Sequence, residues 1–371
     1  MIFTFRSFNL RLALVTALAA LSAVRRRLGA SLHVPQAAGA RRPKRRSDWI
    51  TRAVGETHRV AFLVGAAGVL STAAVFGVAW AAGFHAVWSG LLHPRWAWLA
   101  VALVGEVVAY LGYTLAYATV VRAEGGAELE VPKAAALVAT GFGVFLQGGG
   151  FALDREALIR AGLSEREARS RVLSLGALEY AILAPATAIA AWAILLRQQK
   201  ISDSLTLPWI IGVPVGAALA LVALAFKRRI ERPSGWRARA GQALDALGLI
   251  LTLARSPRKY GLAFAGILVY WLGDIFCLWS TLHVFYAKTP PVAQLIVGYA
   301  TGYAITRRAL PLAGAGIVEA LLPFALGWVK IALGPALLAV VAYRLINVWL
   351  PMIPALGGLP VLKRIERRRA E

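Results

Sequence analysis

Apolar runs of about twenty residues or more recur along this 371-residue chain, and most of its charges fall between them. A run of that length crosses the hydrocarbon core of a bilayer as a helix. In that core every backbone N–H and C=O has to bond internally, which leaves only helices and closed barrels. The alternation with period two that marks a barrel strand is absent. The runs therefore predict an all-α fold: a polytopic integral membrane helical bundle of about six to eight spans. A composition that is 59% hydrophobic, with a mean hydropathy of +0.65, excludes an ordinary soluble domain.

The spans are expected at about 60–84, 96–121, 172–196, 207–226, 260–286 and 335–353. Two further segments are apolar but interrupted. Residues 134–153 contain Gly141, Gly143 and the triplet Gly148-Gly149-Gly150. Each glycine disfavours helix by about 1 kcal/mol relative to alanine, so the triplet predicts a break. Residues 292–334 carry a second small-residue break, Leu312 to Gly316. Pro185 is expected to interrupt its span, and 241–254 reads as an amphipathic helix along the surface. Ser164 and Glu167 stand at the spacing of a capping box.

The net charge of +23 would suggest nucleic acid in a soluble protein. Here the basic residues flank apolar runs, as the positive-inside rule requires, and no nucleic-acid partner is expected. The chain divides into a basic N-terminal segment, 1–55, a membrane domain, 56–362, and a basic tail, 363–371. Residues 25–52, rich in arginine, read as a disordered cytoplasmic tail drawn to anionic headgroups. The short run Leu12–Val24 precedes Arg25-Arg26-Arg27, which argues against a signal peptide; an interfacial helix, a short anchor and a mis-assigned start all stay open.

The same rule places 25–52, 227–239 and 363–369 inside, and hence both termini in the cytoplasm of a multi-pass cell-membrane protein. Counting spans then makes 134–153 begin and end inside, which predicts a re-entrant segment. Residues 292–334 begin and end outside, as a second re-entrant pair or two short spans. The two breaks also share a local pattern. Gly148–Leu158 reads GGGFALDREAL and Leu312–Leu322 reads LAGAGIVEALL, each a small-residue break followed by Glu-Ala-Leu. Glu156 and Glu319 are each followed 23 to 25 residues later by a charge, Glu179 and Arg344, and then by a proline. Breaks entering from opposite sides are the signature of an inverted repeat, whose broken helices meet near the midplane to form a substrate site.

No nucleotide-binding, metalloprotease or nucleophile-elbow motif is present, so no catalytic residue, cofactor or metal is assigned and an enzyme is not expected. A single cysteine, Cys277, excludes a disulfide framework. The candidate substrate-binding residues are Arg308, Pro311, Gly314, Gly316, Glu319, Tyr343, Arg344, Glu156 and Glu179. Arg344 has the planar fork that suits a phosphate, with Glu319 to balance it; the alternative is a structural ion pair between broken helices. Glu179 ranks ahead of Glu106 and Asp274 because it falls at the repeat-related position; Asp274, close to Trp271, is placed where it could pair with an arginine across the bundle. Tyr343, Trp349 and Trp271 read as packing residues or interface anchors before ligands.

Three pieces carry a resemblance: Arg308-Ala309-Leu310-Pro311, then Gly316-Ile317-Val318-Glu319-Ala320, then Tyr343-Arg344-Leu345-Ile346-Asn347-Val348-Trp349-Leu350-Pro351. Together they resemble the lysylphosphatidylglycerol synthase transmembrane, or flippase-like, family, including the membrane half of the multiple peptide resistance factor. The similarity covers roughly 55–360. It implies a protein that moves a lipid or lipid-linked headgroup between leaflets, with an anionic phospholipid or lipid-linked substrate as partner. No soluble aminoacyl-transferase domain follows, so lysyl transfer is not implied. The loop QGGGF lacks the proline expected of many relatives. An accessory subunit of a glycosyltransferase or lipid-synthesis enzyme, a membrane transferase, and a homo-oligomer remain alternatives.

Overall fold

The computed structural model describes residues 47–126, 129–143, 150–199, 201–227, 235–285, 289–304 and 311–351. The chain divides into two units, Met1–Arg59 and Val60–Glu371. Every regular element among the described residues is helical. In order they are α1 (Ser47–Ala82), α2 (Phe84–Gly90), α3 (Ala97–Arg122), α4 (Val131–Gly143), α5 (Gly150–Arg160) and α6 (Glu165–Leu196). Then come α7 (Asp203–Ala225), α8 (Gly235–Arg255), α9 (Pro257–Val284), α10 (Val292–Tyr299), α11 (Ile317–Trp328) and α12 (Leu333–Arg344). The residues Phe62–Ala82 of α1, together with α3, α6, α7 and α9, are long and apolar enough to cross a membrane, and α11 and α12 are shorter apolar helices. The protein is a membrane-embedded helical bundle.

The order of lengths repeats in part. A long helix, two short ones and a long closing helix run α3–α4–α5–α6; α9–α10–α11–α12 also opens on a long helix followed by two short ones, but its closing helix α12 has 12 residues, no more than α11, where α6 has 32. The last series differs in having π-helical turns, at Ala300–Ala304 after α10 and at Leu345–Trp349 after α12. Such turns shift the register of a helix face and recur at functional sites.

The two leading helices, α3 and α9, form the most extensively packed pair in the bundle. Small residues explain the closeness. A methyl group at Gly105 would lie 2.9 Å from the Gly273 carbonyl oxygen, and one at Gly112 would lie 2.7 Å from that of Gly266. Gly105 opposite Gly273 and Gly112 opposite Gly266 make the pair antiparallel. Between lipid-facing helices there is no hydrophobic drive, so backbone approach through small residues supplies the packing. Both helices carry the same spacing: Ala102, Gly105 and Gly112 on α3, and Ala263, Gly266 and Gly273 on α9.

Polar side chains complete the helix ends. Ser164 caps α6: its hydroxyl accepts from the Glu167 N–H, and Glu167 accepts from the Ser164 N–H at 2.9 Å. Buried Arg171 donates to the carbonyls of Val121, in the last turn of α3, and of Ala123, just past it.

Several sequence expectations shift. α6 is continuous through Pro185, as α7 is through Pro208 and Pro214; in transmembrane helices the freed carbonyl is satisfied by neighbouring groups and local adjustment. Residues 47–52, expected in a disordered tail, are helical. The loop 85–95 contains most of α2. The surface helix expected at 241–254 is α8, which packs on α6 and α9. The first break is bounded by Gly143 and Gly150, and residues 144–149 lie outside the described residues.

Candidate functional site

The start of α11 organises the site. Gly316 caps it with φ +82°, a left-handed conformation that L side chains resist, and a Cβ there would meet the Leu70 carbonyl oxygen of α1 at 2.9 Å. Glycine is required on both counts. Its N–H donates to Glu319 Oε2 at 2.7 Å, so the third residue of the helix folds back onto its own cap. Glu319 Oε1 accepts from Ser71 of α1 at 3.1 Å and from Arg344 Nε of α12 at 2.9 Å. Arg344 and Glu319 are 1% and 2% exposed. One carboxylate thus joins three helices at the break, and Arg344 also lies over the Tyr303 ring, 6.0 Å from its centroid.

The polar chain continues inward. Tyr303 donates to Asn347 Oδ1 at 2.7 Å. Asn347 Nδ2 donates to Asp274 Oδ1 at 2.6 Å and to Glu106 at 3.0 Å from Oε2. Asp274 Oδ2 accepts from Tyr343 at 2.9 Å and from Tyr299. Glu106, Asp274 and Asn347 are 7%, 0% and 1% exposed. The π turns place these groups: Tyr303 lies in the first and Asn347 in the second. Glu106 and Asp274 each follow a glycine of the α3–α9 contact, Gly105 and Gly273, and the close approach there brings the two carboxylates together.

The structure therefore brings Gly316, Glu319, Tyr343 and Arg344 into one assembly. Pro311 and Gly314 begin and end the short 3₁₀ turn that leads into α11. Arg308 lies outside the described residues. Glu156 is exposed on α5, while Asp154, one half-turn earlier, is buried. A polar helix start buries the residue on its packed face, and the Glu-Ala-Leu match picked the other face. Glu179 is buried in α6, where its backbone carbonyl accepts from Trp271 Nε1 at 2.9 Å. Asp274 accepts from two tyrosine hydroxyls and an amide. Trp271 and Tyr343 both donate hydrogen bonds, so packing alone does not describe them.

Sequence reasoning passed over Ser71, Glu106, Asn347, Tyr299 and Tyr303. The available signal was the recurring glycine followed at once by an acid, Gly105-Glu106 and Gly273-Asp274. A second was the pair of tyrosines four apart on an apolar helix, one face of which they share. Among the described residues no group of three or more His, Cys, Asp or Glu side chains is arranged to hold a metal ion. The arrangement suits binding and charge compensation inside an apolar medium. No protein-family model matches the chain, and no curated protein matches it.

Proposed function

We propose that this protein moves the phosphate-bearing headgroup of an anionic lipid, or of a lipid-linked precursor, between leaflets of the cell membrane. The observation that carries this reading is the buried Arg344–Glu319 pair at the discontinuity between α10 and α11. A charge within a bilayer disfavours insertion by about 2.5–3.5 kcal/mol on translocon scales, so two charges at a helix break mark a pathway more often than a packing contact. In this reading the guanidinium exchanges Glu319 for a lipid phosphate, and the half-helix start of α11 supplies the positive end of its dipole. The resemblance of the Arg308–Pro311, Gly316–Ala320 and Tyr343–Pro351 segments to flippase-like proteins points the same way. Both termini are proposed to face the cytoplasm. Single cysteines at Ser164 and Thr289, in a Cys277→Ala background, are then expected to label from inside and outside respectively; labelling from one face sinks that orientation.

One observation favours a second reading. Glu319 already accepts from Ser71, Gly316 and Arg344, which is how a structural lock between helices, in an accessory subunit, would look. A leaflet assay separates the two. Purified protein in liposomes with headgroup-labelled anionic and zwitterionic lipids is compared with Glu319→Gln and Arg344→Ala. Transbilayer movement of chemically unchanged anionic lipid, lost in both folded variants, supports translocation. Movement that persists in both, or none for any lipid, sinks it.

A further inference from the structure

Hydroxyls on the helices of this bundle commonly turn back on their own backbone. Thr114, Thr119, Ser174, Thr187 and Ser280 each donate to the carbonyl four residues earlier, at 2.7–2.9 Å. That is the ordinary way for a hydroxyl to be satisfied in an apolar helix. Ser71 departs from it. Its hydroxyl donates to Glu319 Oε1, 3.1 Å away on α11, and the two residues are 8% and 2% exposed. Ser71 directly follows Leu70, whose carbonyl lies against Gly316, so α1 meets both the cap of α11 and its carboxylate. The donors on Glu319 divide between its oxygens. Oε1 accepts from Ser71 and from Arg344 Nε, and Oε2 accepts from the Gly316 N–H. With the guanidinium taken away, each oxygen keeps one neutral donor.

A buried ion pair has a difficulty as a binding site. When one ion leaves to meet a ligand, the other stays behind buried and uncompensated. Hydrogen bonds from neutral donors ease this, because bonds to the charged form of a carboxyl favour that form. The Gly316 N–H belongs to the start of α11 and moves with Glu319. Ser71 comes from a different helix, so it also fixes the carboxylate in space. We propose that Ser71 is a positioning residue for phosphate binding: it holds Glu319 in place, as a carboxylate, while Arg344 transfers its bond to a lipid phosphate. This rests on the translocation reading above and supplies what the exchange in that reading needs. Without the hydroxyl, the paired state still has the guanidinium on Oε1. The phosphate-bound state loses both of the donors that Oε1 has here. The loss therefore falls on the bound state, and phosphate binding weakens.

A cycle of thermal unfolding in detergent tests the hold on Glu319 without any lipid. It compares the wild-type full chain with Ser71→Ala, Arg344→Met and the double variant. Ser71→Ala is expected to lower the midpoint at least about twice as far in the Arg344→Met background as in the wild type, because Ser71 is then the donor left to Oε1. Equal shifts in the two backgrounds, the behaviour of a hydroxyl that acts as a simple structural contact, overturn the proposal. Calorimetric titration of the purified full chain with water-soluble dihexanoyl phosphatidylglycerol tests binding, and it gives an answer even if Arg344→Met fails to fold. Ser71→Ala is expected to weaken binding several-fold, the loss of one hydrogen bond. Ser71→Thr, which keeps the hydroxyl, is expected to restore it. Binding unchanged in Ser71→Ala, or weakened as much in Ser71→Thr, overturns the proposal. A wild type that binds no phosphatidylglycerol, while the unfolding cycle comes out as expected, sinks the translocation reading and leaves Ser71 as the reserve donor of a structural pair.

Discussion

The two repeated series share a skeleton and differ in what they bury. In α3–α6 and in α9–α12, a glycine-faced helix leads, two short helices follow and a closing helix completes the set. Gly105 and Gly112 correspond to Gly266 and Gly273, and each pair packs on the other. At the residue after the second glycine, however, α3 has Tyr113 and α9 has Asp274. The closing helix has Glu179 in one series and the Arg344–Asn347 turn in the other. Backbone approach needs the same small residues on both sides of the contact, so it keeps the pattern symmetric. Chemistry needs one set of groups at one place, so Asp274, the amide and the guanidinium converge from the second series, and Glu106 of α3 joins them from the first.

The largest effect expected is on the shared part. Gly112→Val puts side-chain atoms where even a Cβ meets the Gly266 carbonyl and the Tyr270 nitrogen, both at 2.7 Å. Gly266→Val does the same from the other side. Each is expected to abolish folded, monodisperse protein in detergent size exclusion. Gly216→Ala, with nothing within 4 Å of the added methyl, is expected to leave it intact or stabilise it by up to about 1 kcal/mol. Normal folding of either valine variant would show that the α3–α9 contact is not what holds the halves together.

The next effect separates the halves. Arg344→Ala leaves Glu319 buried without its cation and is expected to destabilise by about 3–5 kcal/mol. The double change Arg344→Met with Glu319→Leu removes both charges and is expected to recover most of that. The counterpart that the Glu-Ala-Leu match picks in the first series, Glu156, is exposed, and Glu156→Gln is expected to stay within about 0.5 kcal/mol. Thermal unfolding in detergent reads all three. Equal losses for Arg344→Ala and Glu156→Gln would erase the asymmetry.

This comparison also shows what the sequence could disclose. Long apolar helices, the capping box at Ser164 and the break before Glu319 follow from local rules: hydropathy, cap chemistry and the backbone freedom of glycine. Glu319 and Arg344 stood out because charges are rare in apolar runs. Which charges meet depends on which helix faces turn together, and that is not local. Asp274 and Glu106 are 168 positions apart by their numbers, and nothing near either residue names the other. Asn347 is invisible as a site residue until a π turn rotates it onto the face of Tyr303. Glu156 shows the reverse error: the spacing was right and the helix face was wrong.

A smaller pair of substitutions sharpens the difference. Tyr343→Phe removes a hydroxyl that donates to Asp274 at 2.9 Å, and is expected to destabilise by about 0.5–1.5 kcal/mol, the net worth of an ordinary buried hydrogen bond. In the first series the Tyr117 hydroxyl is buried and has no hydrogen-bond partner among the described residues. Tyr117→Phe is therefore expected to be neutral or slightly stabilising, since it removes a buried polar atom that gains nothing in return. Thermal unfolding of the two variants, side by side, gives opposite signs if the hydroxyls differ as the geometry says. A loss in both would mean that Tyr117 has a bonded partner in solution.

The smallest effect lies outside the membrane-spanning segments, where α8 packs on the start of α6. Asp245 accepts from Lys227 at 2.5 Å and from Arg166 at 2.9 Å. Burial by itself pushes its carboxyl up, but the bonds and charges of Lys227 and Arg166 outweigh that and hold it below the usual aspartate value. A carboxyl depressed in the folded state contributes stability that is present above its unfolded value and is lost as pH falls through its folded value. Asp245→Asn is accordingly expected to be less stable than wild type at neutral pH, with the gap closing on acidification. Because Arg166 is 71% exposed, solvent screening keeps the gap under about 1 kcal/mol. Raising the salt concentration should shrink it further, since charges at a wet surface are screened within about 10 Å at 0.1 M. The buried Arg344–Glu319 pair should show no such salt dependence. Matched unfolding curves for Asp245→Asn and Arg344→Ala at low and high salt would thus distinguish an electrostatic clasp in water from a charge pair held in an apolar interior; equal salt sensitivity would mean that water reaches Arg344.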